Sequence, residues 1–261
     1  TIDITIHSII KQTYPVSEIL VIDDGSTDDS CRKIANLPIK IHRTGINKGR
    51  GFVRNLAMKL CKNDLVLCCD GTNSLSPKFL EIAIQHLEND SQVCSVSGII
   101  KAKQKKKGVV SRWRSRHLFK EDIVYPINCI TKTKLVTYGT LVRKKLILEA
   151  GNFNPDLTHS EDEELGERLI NCGFKSIGDP KLITYSEINN NLLQVFERHW
   201  RWHVGKYENI TLKSYLHLIK GSLNPMMVAD LKAGDPLSCL ISLFYPHFFL
   251  IKTLSRRVFS R

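Results

Sequence analysis

The chain has 261 residues, 42% of them hydrophobic, and a formal net charge of +12. That length and apolar content suit one large α/β domain, or one domain with an appendage, and exclude a disordered or fixed-period repeat protein. Eight cysteines, none in a C-x-x-C pair, argue against a disulfide framework and read as the reduced thiols of a cytoplasmic protein.

Residues 1–12 carry an apolar stripe at Ile2, Ile6, Ile9 and Ile10, which predicts a helix. An α/β domain usually places a strand ahead of such a helix, and that strand is expected to lie before Thr1. No positively charged, apolar leader opens the chain, so no secretion signal is read. Glu18–Ile22 (E-I-L-V-I) reads as a buried parallel strand, followed at once by Asp23, Asp24 and Gly25. A strand over Ile39–Arg43 leads to a turn around Gly45–Gly49. A helix over Gly51–Leu60 follows, with Phe52, Leu56 and Leu60 on its apolar face. Leu65–Cys69 is a second all-apolar strand, ending in Asp70. Pro77 opens a helix to His86, and Gln92–Ile100 is the next strand.

Between Lys101 and Lys120 stand nine Lys or Arg and no acid, a stretch expected to be an exposed basic loop. Leu135–Val142 predicts a strand and Lys144–Ala150 a helix. Glu161–Glu164 begin a helix to Cys172, which Gly173 ends. Short strands are expected at Lys175–Ile177 and Leu182–Tyr185, then a helix carrying Leu193, Phe196, Trp200 and Val204. Leu237–Ile251 is uncharged, interrupted by Pro246 and followed by basic residues. It is too short to span a bilayer. A membrane-surface segment and a helix packed on the protein both fit it.

Alternating strands and helices predict an α/β fold with a mostly parallel twisted sheet and helices on both faces. Ligands in such sheets sit beyond the C-terminal strand ends, where Asp23, Asp24 and Asp70 stand.

Residues 8–30 (S-I-I-K-Q-T-Y-P-V-S-E-I-L-V-I-D-D-G-S-T-D-D-S) resemble the opening signature of family 2 glycosyltransferases, inverting enzymes with the GT-A fold. The resemblance implies that Asp24 binds the base of a nucleotide-diphosphate sugar, with Asp23 as its neighbour. Residues 47–73 are similar to the family's N-x-G-x-x-x-x-R-N stretch and metal-binding D-x-D. Asn47, Gly49 and Arg54 match the stretch and Asp70 the first acid, which implies that they bind the nucleotide sugar. Thr72 stands where the second acid would be, and Asn73 offers a carbonyl oxygen nearby. The motif implies Mg2+ or Mn2+ at Asp70 and Thr72, hard oxygen ligands beside a diphosphate.

Residues 138–173 resemble the family region whose E-D pair supplies the catalytic base, which carries over to Asp162 with Glu161 beside it. Arg198, Arg201 and Trp202 form R-H-W-R-W, similar to a motif implied to grip the diphosphate and stack on a sugar. Together the resemblance covers residues 1–207, the expected catalytic domain. Residues 208–261 are an expected helical, membrane-associating tail. It implies transfer to a glycan or lipid-linked acceptor in cell-surface polysaccharide or glycolipid synthesis, at the inner face of the membrane. A degenerate nucleotide-sugar binder and a nucleotidyltransferase are the alternatives. Nucleic acid is not an expected partner, because no recognition motif accompanies the charge.

Overall fold

Apolar runs bounded by turns become strands, and stretches of 3.6-residue periodicity become helices, largely in the order read from the sequence. The computed structural model describes residues 1–103, 108–121, 131–203 and 210–259. The chain forms two units, residues 1–103 with 124–188 and residues 104–123 with 189–261.

The first unit opens with α1 (Ile2–Ile10), β1 (Leu20–Asp23), α2 (Ser30–Ile34), β2 (Lys40–Arg43) and α3 (Arg50–Leu60). β3 (Leu65–Cys69), β4 (Asn73–Leu75), α4 (Phe79–Asn89) and β5 (Val93–Ala102) follow. After α5 (Val109–His117), which belongs to the second unit, come β6 (Thr131–Lys132), β7 (Gly139–Arg143), α6 (Lys144–Glu149), α7 (Glu161–Asn171) and β8 (Lys175–Ser186).

β1 and β2 form a parallel pair, and the larger sheet runs β3-β7-β5-β8-β4 with β6 on β8. The α/β class is as expected, but the larger sheet is mixed. Only β5 and β8 pair in parallel there, while β3–β7, β5–β7, β4–β8 and β6–β8 are antiparallel. The strand–helix alternation that signals parallel crossovers breaks after β5, and β7 returns in the opposite direction between β3 and β5.

Successive side chains of β3 and β7 point to opposite faces. Leu65, Leu67 and Leu141 join Phe79, Ala83 and Leu87 of α4 in one core. Val66, Cys68 and Val142 join Met58 of α3 with Phe153, Leu165 and Leu169 in the other. Helices thus cover both faces, as the all-apolar strands require.

Three sequence expectations change. α3 buries Gly51 and Met58, and Leu60 is exposed, because Asn154 and Leu157 of a distant loop press against Gly51. The two short strands after Gly173 are one. Ser97 pairs with Gly178 and Ile99 with Ile183, so the residues around Pro180 bulge out of the ladder. The stretch 101–120 is not simply a loop, since α5 lies within it and buries Trp113 completely. Val204 lies outside the described residues.

The second unit contains α5, α8 (Leu192–His203), α9 (Leu212–Gly221), a π-helical segment Ser222–Met227, α10 (Val228–Lys232) and α11 (Pro236–Phe259). Trp113 is its centre. The indole packs edge-on to Phe196 at 6.0 Å and donates from Nε1 to Ser242 Oγ at 2.8 Å. The tail expected from residue 208 onward folds together with α5 and α8.

Opposite the bulge, a Cβ placed on Gly98 would lie 1.8 Å from the Leu182 carbonyl oxygen. Gly98→Ala is therefore expected to lower unfolding stability by about 1–3 kcal/mol in urea titrations. Gly108→Ala, which meets nothing within 4 Å, should stay within about 0.5 kcal/mol of the parent.

Candidate active site

The loop after β1 is drawn together by its own acids. Asp24 Oδ1 accepts from Lys48 N at 2.9 Å and Thr44 Oγ1 at 3.0 Å, and Oδ2 accepts from Gly49 N at 2.9 Å. Two strand-end segments are thereby tied into one rim. Gly25 permits the approach, with a φ of +77° and a backbone so close that a Cβ would sit 2.9 Å from Asn47 N. Asp23 Oδ1 accepts from Ser26 N at 3.0 Å, and hydrogen bonding from Ser26 holds its carboxyl below the usual range. Asn47 is exposed and Gly49 is buried.

Arg54 and Asn55, on α3, point to two different distant segments. Asn55 Nδ2 donates to Phe153 O at 2.6 Å, and Asn152 Nδ2 returns a bond to Asn55 O at 3.1 Å. Arg54 Nη2 donates to Asp70 Oδ1 at 3.0 Å, and its Nη1 pairs with Glu161 Oε1. Glu161 is 1% exposed, and its Oε2 has no hydrogen-bond partner among the described residues. A buried carboxylate must be paired, and Arg54 is its counter-charge.

Asp162 follows at the first turn of α7. Its Oδ2 accepts from Thr137 Oγ1 at 3.2 Å, and its Oδ1 from Glu163 N at 3.0 Å. Ser160, just before the helix, has a φ of 58°, a left-handed conformation that costs a residue with a side chain. The next two acids turn outward. Glu163 pairs with Lys134 at 2.8 Å, and Glu164 meets Arg168 at 2.7 Å. The four consecutive acids therefore face four different partners.

At the end of β3, Thr72 O accepts from Glu187 N at 2.9 Å. Asn73 Nδ2 donates to Tyr138 O at 2.8 Å, while its buried Oδ1 has no partner among the described residues. Glu187 also meets Ser74 through its carboxylate. Thr137, Tyr138 and Glu187 were not singled out in the sequence. Only their proximity to Y-G-T and to the end of an apolar strand could have marked them.

A cavity of about 700 Å³ lies between β1 and β3, with Asp24, Arg50, Arg54 and Asp70 among its polar lining and Val21, Leu67 and Ile9 among its apolar lining. Among the described residues β1 pairs only with β2 and β3 only with β7, so the free edges of both strands border this cavity. The structure thus gathers Asp24, Arg54, Asp70 and Glu161 in the first unit, with Asp162 next to Glu161. Arg198 and Arg201 lie on α8 in the second unit, both half-buried, and Trp202 follows them on the same helix.

Residues 1–147 match the family model described as glycosyl transferase family 2. The chain belongs to this family. Among its relatives, the hyaluronan synthase of Streptococcus pyogenes is 28% identical over 123 residues, 41% of this chain and 28% of that protein. The poly-beta-1,6-N-acetyl-D-glucosamine synthase of Staphylococcus aureus (strain COL) is 22% identical over 245 residues, 87% of this chain and 56% of that protein. The chain thus spans well under two thirds of either relative's length. A solved mannosyltransferase from Pyrobaculum calidifontis, in complex with GDP-Man and Mn2+, aligns over 97% of this chain and 83% of its own, with a TM-score of 0.63 at 14% identity. The architecture is the GT-A fold of family members.

The residues at the D-x-T turn can be tested against a divalent cation. No group of three His, Cys, Asp or Glu gathers among the described residues, so an all-protein cage does not fit. One carboxylate, Asp70, two residues before Thr72 in the chain, suits a hard cation whose other ligands are water and a diphosphate.

Removing Arg54 would strand the Glu161 carboxylate in the core. Arg54→Ala is expected to cost about 3–5 kcal/mol in urea unfolding. Adding Glu161→Gln to it should recover part of that loss, a non-additivity that marks the pair as coupled.

Proposed function

We propose that the chain is an inverting transferase that moves a sugar from a nucleotide-diphosphate sugar to a hydroxyl of a glycan or lipid-linked acceptor, in polysaccharide or glycolipid synthesis. The observation that carries this reading is Asp162, held by Thr137 at a helix start immediately after the Arg54–Glu161–Asp70 bridge. A base there would be tied by one peptide link to the charge network that reaches the strand-end acid.

In the proposed reaction Asp162 takes the proton of the acceptor hydroxyl. The freed oxygen attacks the anomeric carbon from the face opposite the leaving group, the bond from that carbon to the diphosphate breaks, and the nucleoside diphosphate departs. Asp24 and Asp23 would orient the nucleoside, with Asn47 and Gly49 shaping the same rim. Arg54 would keep Asp70 aimed. Glu161 is a positioning residue in this reading, since its carboxylate is spent on Arg54. Asp70 and Thr72 would hold Mg2+ or Mn2+, which neutralises charge on a departing diphosphate. By the motif, Arg198 and Arg201 would add paired hydrogen bonds to the same diphosphate and Trp202 would stack on a sugar.

A second reading, nucleotide-sugar binding without turnover, draws on Thr72 and on the full engagement of both Asp24 oxygens by the chain's own loop.

The two readings separate in one assay of nucleoside diphosphate release from UDP-, GDP- and dTDP-sugars, with and without Mn2+. Release with one donor that falls by about 10²–10⁴-fold in Asp162→Asn, with donor affinity kept, supports the transferase. Donor binding with no release from the parent in the presence of candidate acceptors supports the binder. Arg201→Ala should raise the donor KM. Little change in Arg201→Ala, alongside complete loss on chelation, would assign the diphosphate to the cation alone.

A further inference from the structure

α11 has two faces of opposite character. One face packs inside the second unit, with Ser238, Ser242, Tyr245, Phe249 and Thr253 all buried. The hydroxyls of Ser238, Ser242 and Thr253 are bonded within the protein. Ser242 Oγ accepts from Trp113 and donates to Asp230 Oδ2 at 2.6 Å. Ser238 Oγ donates to Asp235 at 2.7 Å, and Thr253 Oγ1 accepts from Trp200 Nε1 at 3.0 Å. The other face carries Leu237, Leu240, Phe244, Ile251 and Leu254 at three-, four- and seven-residue steps. The first four of these are each more than half exposed. Such a stripe on one helix faces a single surface.

α9 extends the pattern. None of its residues is buried, although it carries Leu212, Leu216, Leu218 and Ile219. Lys213, Leu216, Lys220 and Leu223 follow one another at helical spacing, and all four are exposed. Lysines flanking apolar residues in this way can lay their stems on an apolar surface while their charges reach phosphates. Tyr215 Oη and His247 Nδ1, 2.7 Å apart, join α9 to the outer side of α11.

Charge then decides the occupant. The only acids in residues 210–259 are Asp230 and Asp235. Both are buried, Asp230 against Arg116 and His117, and Asp235 against Arg112. Lys213, Lys220 and Lys232 are exposed beside the apolar residues, and the sequence adds Arg256, Arg257 and Arg261. A second copy placed by two-fold symmetry would set these cations against themselves. An anionic lipid surface offsets them and takes the apolar row into its headgroup layer.

We infer that α9, α10 and the outer face of α11 form a docking surface for an anionic membrane, with α11 lying in the plane of the bilayer. Pro236–Ser255 is long and apolar enough to cross a membrane. Its inner face, however, is committed to Trp113, Asp230, Asp235 and Trp200, so spanning would require those buried polar groups to give up their partners in hydrocarbon.

The full chain is mixed with sedimentable vesicles of phosphatidylcholine, with or without phosphatidylglycerol, and bound protein is measured after centrifugation. The expected result is binding to the anionic vesicles, weakened by salt and released by alkaline carbonate. Leu240→Asp with Phe244→Asp should lower the bound fraction about tenfold without changing the melting curve. Lys213→Glu with Lys220→Glu, on the helix that buries nothing, gives a second variant that leaves the core untouched and should also weaken anionic binding. Carbonate-resistant retention would overturn the inference in favour of a spanning helix. Equal binding by parent and variants would overturn it too. So would a parent dimer that fails to bind vesicles and becomes monomeric in Leu240→Asp/Phe244→Asp, which would assign the face to a second copy. Nucleoside diphosphate release is read separately and does not enter these outcomes.

Discussion

A guanidinium enclosed between two carboxylates holds the first unit's chemistry in place. Arg54 comes from a helix, Asp70 from a strand end and Glu161 from the start of another helix, and the three meet with Glu161 almost fully buried. Burying Glu161 costs far more than an ordinary side chain, and only the facing cation offsets it. The pairing therefore acts as a positional constraint more than as a source of stability. α3 cannot rotate, nor α7 slide, without exposing an unpaired charge to the core. Asp162 inherits its location from this arrangement, one peptide unit away from the buried acid.

The second unit solves a similar problem with other groups. Trp113, Trp200 and the serines and threonine of α11 exchange hydrogen bonds inside an aromatic cluster, and the arginines of α5 close on Asp230 and Asp235. The Arg112 hydrogen bond holds the Asp235 carboxyl far below the usual range, so this contact persists through ordinary acid conditions. With its serine and threonine hydroxyls bonded inward, α11 turns Leu237, Leu240, Phe244 and Ile251 outward.

Local chemistry was readable in the sequence, and long-range pairing was not. The run E-I-L-V-I-D-D-G announced both a strand and the acid that closes its loop, because a strand end and a glycine turn are written in adjacent residues. The α7 start at Glu161 and its stop at Gly173 were legible for the same reason. The buried face of α3 was misread because Gly51 is pressed by Asn154 and Leu157, residues remote in the chain. The single long β8 was read as two strands because only its partner β5 reveals that Pro180 sits in a bulge. Within the candidate site, Asp70 and Glu161 were each singled out, but the cation that joins them was expected to serve the nucleotide. No spacing rule links Arg54 to a helix so distant in sequence.

The β1–β2 ribbon is held differently from the strands of the larger sheet. Because the β1–β2 ribbon shares no ladder with the larger sheet among the described residues, side-chain packing of Ile19 into the core that Leu65 and Leu67 join and the Asn63–Ser17 hydrogen bond attach the segment that leads into it. Two-stranded ribbons are weak on their own. The geometry of the Asp24 rim is therefore set from within, by the backbone amides of Lys48 and Gly49 that close on its carboxylate, and not by a ladder to the larger sheet.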